Sequence, residues 1–204
     1  MNRQGHWNSI YTLKNERDVS WFEPVSTVSL EMIEASGIVP STSVLDIGAG
    51  ESRLVEGLLA RGLRDITLLD ISAEALERTR TRLGPAGRTI TWIDADVTSE
   101  WTADPVDIWH DRAVFHFLID PADRARYMRK LHELVKPYGT AIIATFALDG
   151  PEMCSGLPVM RYSPETLAAE LGEDFALVES RRHTHLTPRG TTQSFQYSRF
   201  RRAN

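Results

Sequence analysis

Three carboxylates close three short apolar runs: Asp46 in "VLDIGAG", Asp70 in "ITLLDIS" and Asp96 in "WIDADV". Ionised carboxylates accept hydrogen bonds and balance positive charge, so three of them gathered at neighbouring strand ends can grip a polar or cationic small molecule. Asp46 is followed by Gly48-Ala49-Gly50, a bend whose missing side chains let backbone approach a ligand where the next helix starts. A dinucleotide fingerprint requires G-x-G-x-x-G. Here Arg53 holds the sixth position and is too bulky for close helix–strand contact, while Glu51 would oppose a pyrophosphate. An acid two residues before the first glycine suits instead a nucleoside cofactor with a cationic end. Asp70, twenty residues past Gly50 and followed by Ile71, is placed to accept from both ribose hydroxyls. Asp96 is offered to an adenine amino group.

The elements that must position these acids are legible from two periods. Val44–Ile47, Ile66–Leu69, Ile90–Ile93, Val106–Trp109 and Ala141–Phe146 are short and often β-branched, as buried strands are. Between them lie helical patterns with their punctuation. Leu54, Val55, Leu58 and Leu59 share one face ahead of Gly62; Ser72 caps a helix that stops at Gly84. Asp120-Pro121 opens a helix that runs to a Pro-Tyr-Gly stop, and Ser163-Pro164 opens another that ends at Gly172. This alternation predicts an α/β fold with a parallel sheet covered on both faces. The last two apolar runs, "FALVESRRH" and "QSFQYSRF", have no helix between them and so must pair antiparallel. Residues 1–40 read as a helical, aromatic-rich cap or lid over a domain spanning residues 41–204.

With these residues the chain resembles the class I S-adenosylmethionine-dependent methyltransferases, from about Val44 to Phe200. The family's acid-x-Gly-x-Gly pattern is matched by Asp46, Gly48 and Gly50, with Ser52 in place of a frequent third glycine. The resemblance implies a Rossmann-like, seven-stranded methyltransferase sandwich and S-adenosyl-L-methionine as cofactor, with S-adenosyl-L-homocysteine as product. It also implies Asp70 on the ribose and Asp96 with the Val97 backbone on adenine. The methionine end would lie near "WHDR", where Asp111 either faces the cofactor's α-amino group or orients Arg112. A narrower resemblance links "HWNSIYTLKNERDVSWF" to the elongation-factor lysine methyltransferase branch, whose matching aromatics are Trp7, Tyr11 and Trp21. It implies that these three pack beside the cofactor.

In-line methyl transfer requires positioning and exclusion of water, and a general base only when the acceptor arrives protonated. His116 in "RAVFHFL" is the candidate base; otherwise it packs with Phe115 and Phe117. The segment "ALDGPEMCSGLPVMRYS" is long for a strand–helix link, and its Met153, Leu157, Val159 and Met160 offer an apolar acceptor wall. Arg161 would hold an anionic group there or pair with a surface acid. Cys154 reads as a passive buried thiol. His183 and His185 share a strand face, yet no third ligand stands near them in the sequence, so no metal site is expected.

The 204 residues suffice for one sizeable core, and a single cysteine excludes an intrachain disulfide. No run has the length of a signal peptide or a membrane span, so a cytoplasmic protein without membrane partners is expected. The net charge of −5 conceals six arginines and no acid in residues 181–204, which leaves the remainder at −11. An acidic body does not read as a nucleic-acid binder, and the basic end reads as a solvated strand face. The expected acceptor is a small molecule bearing a thiol, phenol or amine. A protein lysine is the alternative acceptor, and a non-catalytic sensor of the cofactor is the alternative of another class.

Overall fold

In the computed structural model, which describes residues 2–204, the apolar runs form strands β1 (Val44–Ile47), β2 (Ile66–Asp70), β3 (Ile90–Asp94), β4 (Val106–Arg112) and β5 (Val135–Phe146). A small hairpin, β6 (Met153–Cys154) and β7 (Leu157–Pro158), follows, and then the long terminal strands β8 (Phe175–Leu186) and β9 (Thr192–Arg202). The helices are α1 (Arg3–Leu13), α2 (Thr27–Glu34), α3 (Leu54–Ala60), α4 (Ala73–Leu83), α5 (Pro121–Leu134) and α6 (Pro164–Leu171). Their starts are the expected ones. Ser72 accepts from the Ala75 amide, Asp120 from Ala122 and Ser163 from Thr166, each satisfying an amide that has no partner within its helix.

Seven strands make one sheet in the order β3-β2-β1-β4-β5-β9-β8. All pairs from β3 to β5 are parallel, whereas β5–β9 and β8–β9 are antiparallel. This is the expected methyltransferase-type sandwich. The chain runs outward from β1 to β3 and then returns to place β4 on the other side of β1. A crevice therefore opens beyond the carboxyl ends of β1 and β4, where such sheets bind ligands.

Both faces of the sheet are covered. On one, Met32, Ile33, Leu54 and Leu58 from α2 and α3 pack on Val44, Ile108 and Ile142. On the other, Tyr127, Leu131 and Leu134 of α5 pack on Leu45, Trp109 and Ile143. Central strands buried on both sides explain why their sequences read as continuous apolar runs rather than alternating ones.

Two details depart from the sequence expectation. Helix α5 ends at Leu134, and Val135 is already extended, so "VKPYG" opens β5 rather than closing the helix. Proline ahead of the glycine forbids a helical continuation, and pairing with β4 then recruits the segment to the sheet. Within the lead segment, α2 is part of the core layer while α1 lies over the sheet's carboxyl edge; Met1 lies outside the described residues.

Candidate functional site

At the carboxyl edge of the sheet the Gly48-Ala49-Gly50 bend leaves β1, and both glycines adopt positive φ, +65° and +50°. A Cβ on Gly50 would strike the Tyr11 hydroxyl and lie 3.7 Å from an Asp70 oxygen, and one on Gly48 would strike Val114. Only glycine gives the bend both its backbone conformation and its room. The Gly50 amide donates to Asp70 Oδ2 at 2.8 Å, and the Ser72 amide to Oδ1 at 2.8 Å. The Asp70 carboxylate is thus fixed at the tip of β2, beside the bend. Burial raises its pKa to about 6 against the lowering effect of those two amides.

A cleft extends from this point along the strand tips. At one end Ile71, Ala95 and Val97 form an apolar slot, with Asp96 at its rim. Asp96 Oδ1 accepts from the Thr98 amide at 2.8 Å and hydroxyl at 2.7 Å, and Arg3 approaches Oδ2 to 3.6 Å. Tyr11, Trp7 and Trp21 line the same cleft, with Trp7 against Trp21 at 5.8 Å and against Phe117 at 5.1 Å between ring centroids. At the other end stand Arg112, Phe146, Cys154, Gln193 and Phe195. The Arg112 guanidinium is held on three sides. It donates to the Trp21 carbonyl at 3.1 Å, to Glu23 Oε1 at 2.9 Å and to the Tyr197 hydroxyl at 3.0 Å, and it lies 4.9 Å from the centre of the Phe195 ring.

Asp46 faces a smaller adjoining cavity, which it shares with His110, Ser29, Glu51 and Arg53. Its Oδ1 lies 2.7 Å from His110 Nδ1, and His110 Nε2 lies 2.8 Å from Ser29 Oγ. Gly48, Tyr11, Trp21 and Arg112 border both cavities, so Asp46 stands one layer behind the bend rather than in the main cleft.

Two expected site residues are turned away from the cleft. Asp111 is fully buried, with its oxygens taken by the Val114 amide at 2.9 Å, the Phe115 amide at 3.0 Å and the Tyr127 hydroxyl at 2.7 Å. It anchors the turn after β4 to α5 and touches neither the cleft nor Arg112. The reason is strand alternation: successive residues point to opposite faces, and Arg112 takes the open one. His116 is likewise fully buried, between Phe117 at 4.5 Å and Phe146 at 4.7 Å, and its Nδ1 accepts the Phe146 amide at 3.3 Å. Burial, aided by the Arg112 charge, lowers its pKa to about 3. A neutral imidazole of that basicity, away from the cleft, is no general base.

The acceptor wall also differs from expectation. Met153 is exposed, Val159 and Met160 pack into the two cores, and Arg161 pairs with Glu152 at 2.9 Å; only Cys154 of that segment enters the cleft. Burial pushes the Cys154 thiol up to about 11, which makes it inert at neutral pH. The apolar side chains at that end of the cleft are aromatic instead: Phe117, Phe146 and Phe195. Arg112 was legible as a charge at a strand's carboxyl end. Nothing local marked Phe195 and Gln193, which only the antiparallel return of β9 brings there.

Residues 44–139 match the family described as a methyltransferase domain. Over those residues the chain is similar to methyltransferase domains. An uncharacterised methyltransferase of Mycobacterium tuberculosis is 32% identical over 127 residues, which cover 62% of this chain and 60% of that protein. The chain thus matches about three-fifths of the length of such relatives. Among solved structures, the N-methyltransferase NodS from Bradyrhizobium japonicum, in complex with S-adenosyl-L-homocysteine, superposes with a TM-score of 0.73 at 16% identity over 100% of both chains. The Burkholderia thailandensis 1,6-didemethyltoxoflavin N1-methyltransferase gives 0.68 at 20% identity, over 98% of this chain and 84% of its own.

S-adenosyl-L-homocysteine is bound in the NodS neighbour, and the cleft of this chain has features suited to a nucleoside ligand. The Asp70 carboxylate is held at the bend, where only glycine fits, and an apolar slot with an acid at its rim lies alongside. An uncharged slot suits a purine face, and acceptor oxygens suit hydroxyls and an exocyclic amine.

Proposed function

We propose that the protein transfers a methyl group from S-adenosyl-L-methionine to a small-molecule acceptor, with a thiol as the favoured class. The observation that carries this reading is a single cleft with two unlike halves, roofed by α1 and the Trp21 segment. In the polar half, Asp70 holds the ribose, Ile71, Val97 and Asp96 hold the adenine, and the Gly48–Gly50 bend makes room for the chain toward sulfur. Asp46 assists from behind the bend, through its placement beside the methionine end. When bound, the cofactor supplies an electrophilic methyl on a positively charged sulfur, and the leaving thioether departs neutral. What the chain must do is align the acceptor and keep water out. Trp7, Tyr11 and Trp21 serve as the lid for that purpose, ahead of the core helix α2, and Phe117, Phe146 and Phe195 form the acceptor wall.

Among the described residues, no histidine or lysine lines this cleft. An acceptor that ionises by itself, as a thiol does near neutrality, or arrives as a neutral amine therefore fits better than a phenol or a lysine ammonium. Protein lysine methylation rests on the aromatic lead segment alone, and the same segment covers the cleft. A single buried cysteine is compatible with a reducing cytoplasm.

The test is methyl transfer from labelled S-adenosyl-L-methionine to a panel of small thiols, phenols, amines and lysine peptides, alongside calorimetry with S-adenosyl-L-homocysteine. Thiol turnover with micromolar product binding, lost in Gly50→Ala, is the expected result. Binding without turnover on any acceptor would identify a sensor, and turnover confined to lysine peptides would replace the small-molecule reading.

A further inference from the structure

Beside the acceptor half of the cleft, the terminal hairpin and the lead segment bring three metal-ligating side chains together. His183 and His185 stand two apart on β8 and pair with Phe195 and Gln193 of β9, both of which line the cleft. Glu23, from the segment before α2, supplies the ligand that the sequence lacks near them. Its Oε1 lies 3.5 Å from His185 Nδ1 and 3.9 Å from His183 Nε2, and the donor atoms of all three lie within 4.8 Å of one another. Around a tetrahedral zinc ion with bonds of about 2.0–2.1 Å, ligand atoms sit roughly 3.4 Å apart. The two Glu23 contacts are close to that spacing.

The hydrogen-bond pattern points the same way. His185 Nε2 lies 2.7 Å from the Ser20 carbonyl oxygen. A carbonyl only accepts, so this nitrogen carries the proton, and in the neutral ring Nδ1 presents a bare lone pair. That lone pair faces a carboxylate oxygen, which is also an acceptor. A second imidazole nitrogen, from His183, approaches the same oxygen. His183 can turn its own N–H to that oxygen, but His185 Nδ1 has no proton to give while its Nε2 proton is on the Ser20 carbonyl; one cation at the centre satisfies all three groups. A histidine ligand fixed through its far nitrogen by a backbone carbonyl is the usual outer-shell arrangement of metal sites, and the Arg112 guanidinium fixes Glu23 by donating to the same Oε1 at 2.9 Å.

We propose that Glu23, His183 and His185 bind a zinc-class divalent ion that clasps the lead segment onto the terminal hairpin. Trp21 lies between Ser20 and Glu23 and lines the cleft, so the ion would fix one wall of the lid. This inference stands apart from the identity of the acceptor.

The experiment uses the full-length chain without a polyhistidine tag, stripped with chelator and titrated with cobalt(II) as a spectroscopic substitute for zinc. One equivalent should bind with visible absorption bands of a nitrogen- and oxygen-ligated site and be displaced by zinc. His183→Ala and, separately, Glu23→Gln should each weaken binding by about tenfold or more. Zinc should also slow proteolytic cleavage of the lead segment in the parent chain, with or without S-adenosyl-L-homocysteine present, and not in the variants. Absence of a stoichiometric cobalt spectrum, or equal affinity in both variants and the parent, would show that the cluster is a protonated ion pair and overturn the site. Metal binding that leaves cleavage unchanged would overturn the clasp.

Discussion

Asp70 and Asp111 stand near the carboxyl ends of β2 and β4, on either side of β1, and burial lifts both carboxyls to about 6. They nevertheless do different work. Asp70 accepts two amides and borders the cleft; Asp111 spends its oxygens on two amides and Tyr127 inside the core. His116 shows the opposite sign. In the fold it takes a proton only near pH 3, against about 6.5 in an unfolded chain. Its contribution to stability is therefore complete above about pH 6.5 and falls by about 1.4 kcal/mol per pH unit as the medium is acidified toward 3. His116→Leu should remove that dependence. Urea unfolding at pH 7, 6 and 5 should show the parent losing stability faster than the variant by that slope, and parallel curves would mean that the imidazole is not a buried neutral group.

At the scale of elements, the lead segment divides by what it covers. Helix α2 contributes Met32 and Ile33, both wholly buried, to the core, whereas α1 contributes Trp7 and Tyr11 to the cleft. The low amphipathic contrast of "RQGHWNSIYTL" fits a helix that covers a ligand site rather than a core. Trp7→Ala should therefore weaken S-adenosyl-L-homocysteine binding by about tenfold, equivalent to about 1.4 kcal/mol, while the thermal midpoint moves by only a few degrees. Calorimetry and a melting curve on the same sample separate these effects; a large stability loss with unchanged affinity would assign α1 to the core. The capped helices were readable because each start is a local matter of one side chain and one amide. The end of α5 was not, because pairing with β4 decided it.

Across the whole molecule, the two core layers meet through the sheet, and Trp109 is the largest side chain wholly buried in it. Its Nε1 donates to the Tyr127 hydroxyl at 2.8 Å, which in turn donates to Asp111. Trp109→Ala should cost about 3–5 kcal/mol, measured by urea unfolding, a large share of a typical domain's stability. Three of the six arginines of the last 24 residues pair with acids. Arg181 pairs with Glu31 and Glu179, Arg182 with Asp149, and Arg199 with Glu179 at 2.9 Å. The charge asymmetry along the sequence is thus offset in space at these three arginines.

The sequence by itself determined the α/β alternation, the strand–helix boundaries near β1 to β4, the glycine bend and the acids at the tips of β1 to β3, because period, caps and turns are local properties. Tertiary structure alone decided which way Asp111 and His116 face, that aromatic rings from β5 and β9 wall one end of the cleft, and that Glu23 meets His183 and His185. Those outcomes depend on which strands become neighbours and which face of a strand is open, and contacts between residues far apart in the chain leave no periodic signal along it.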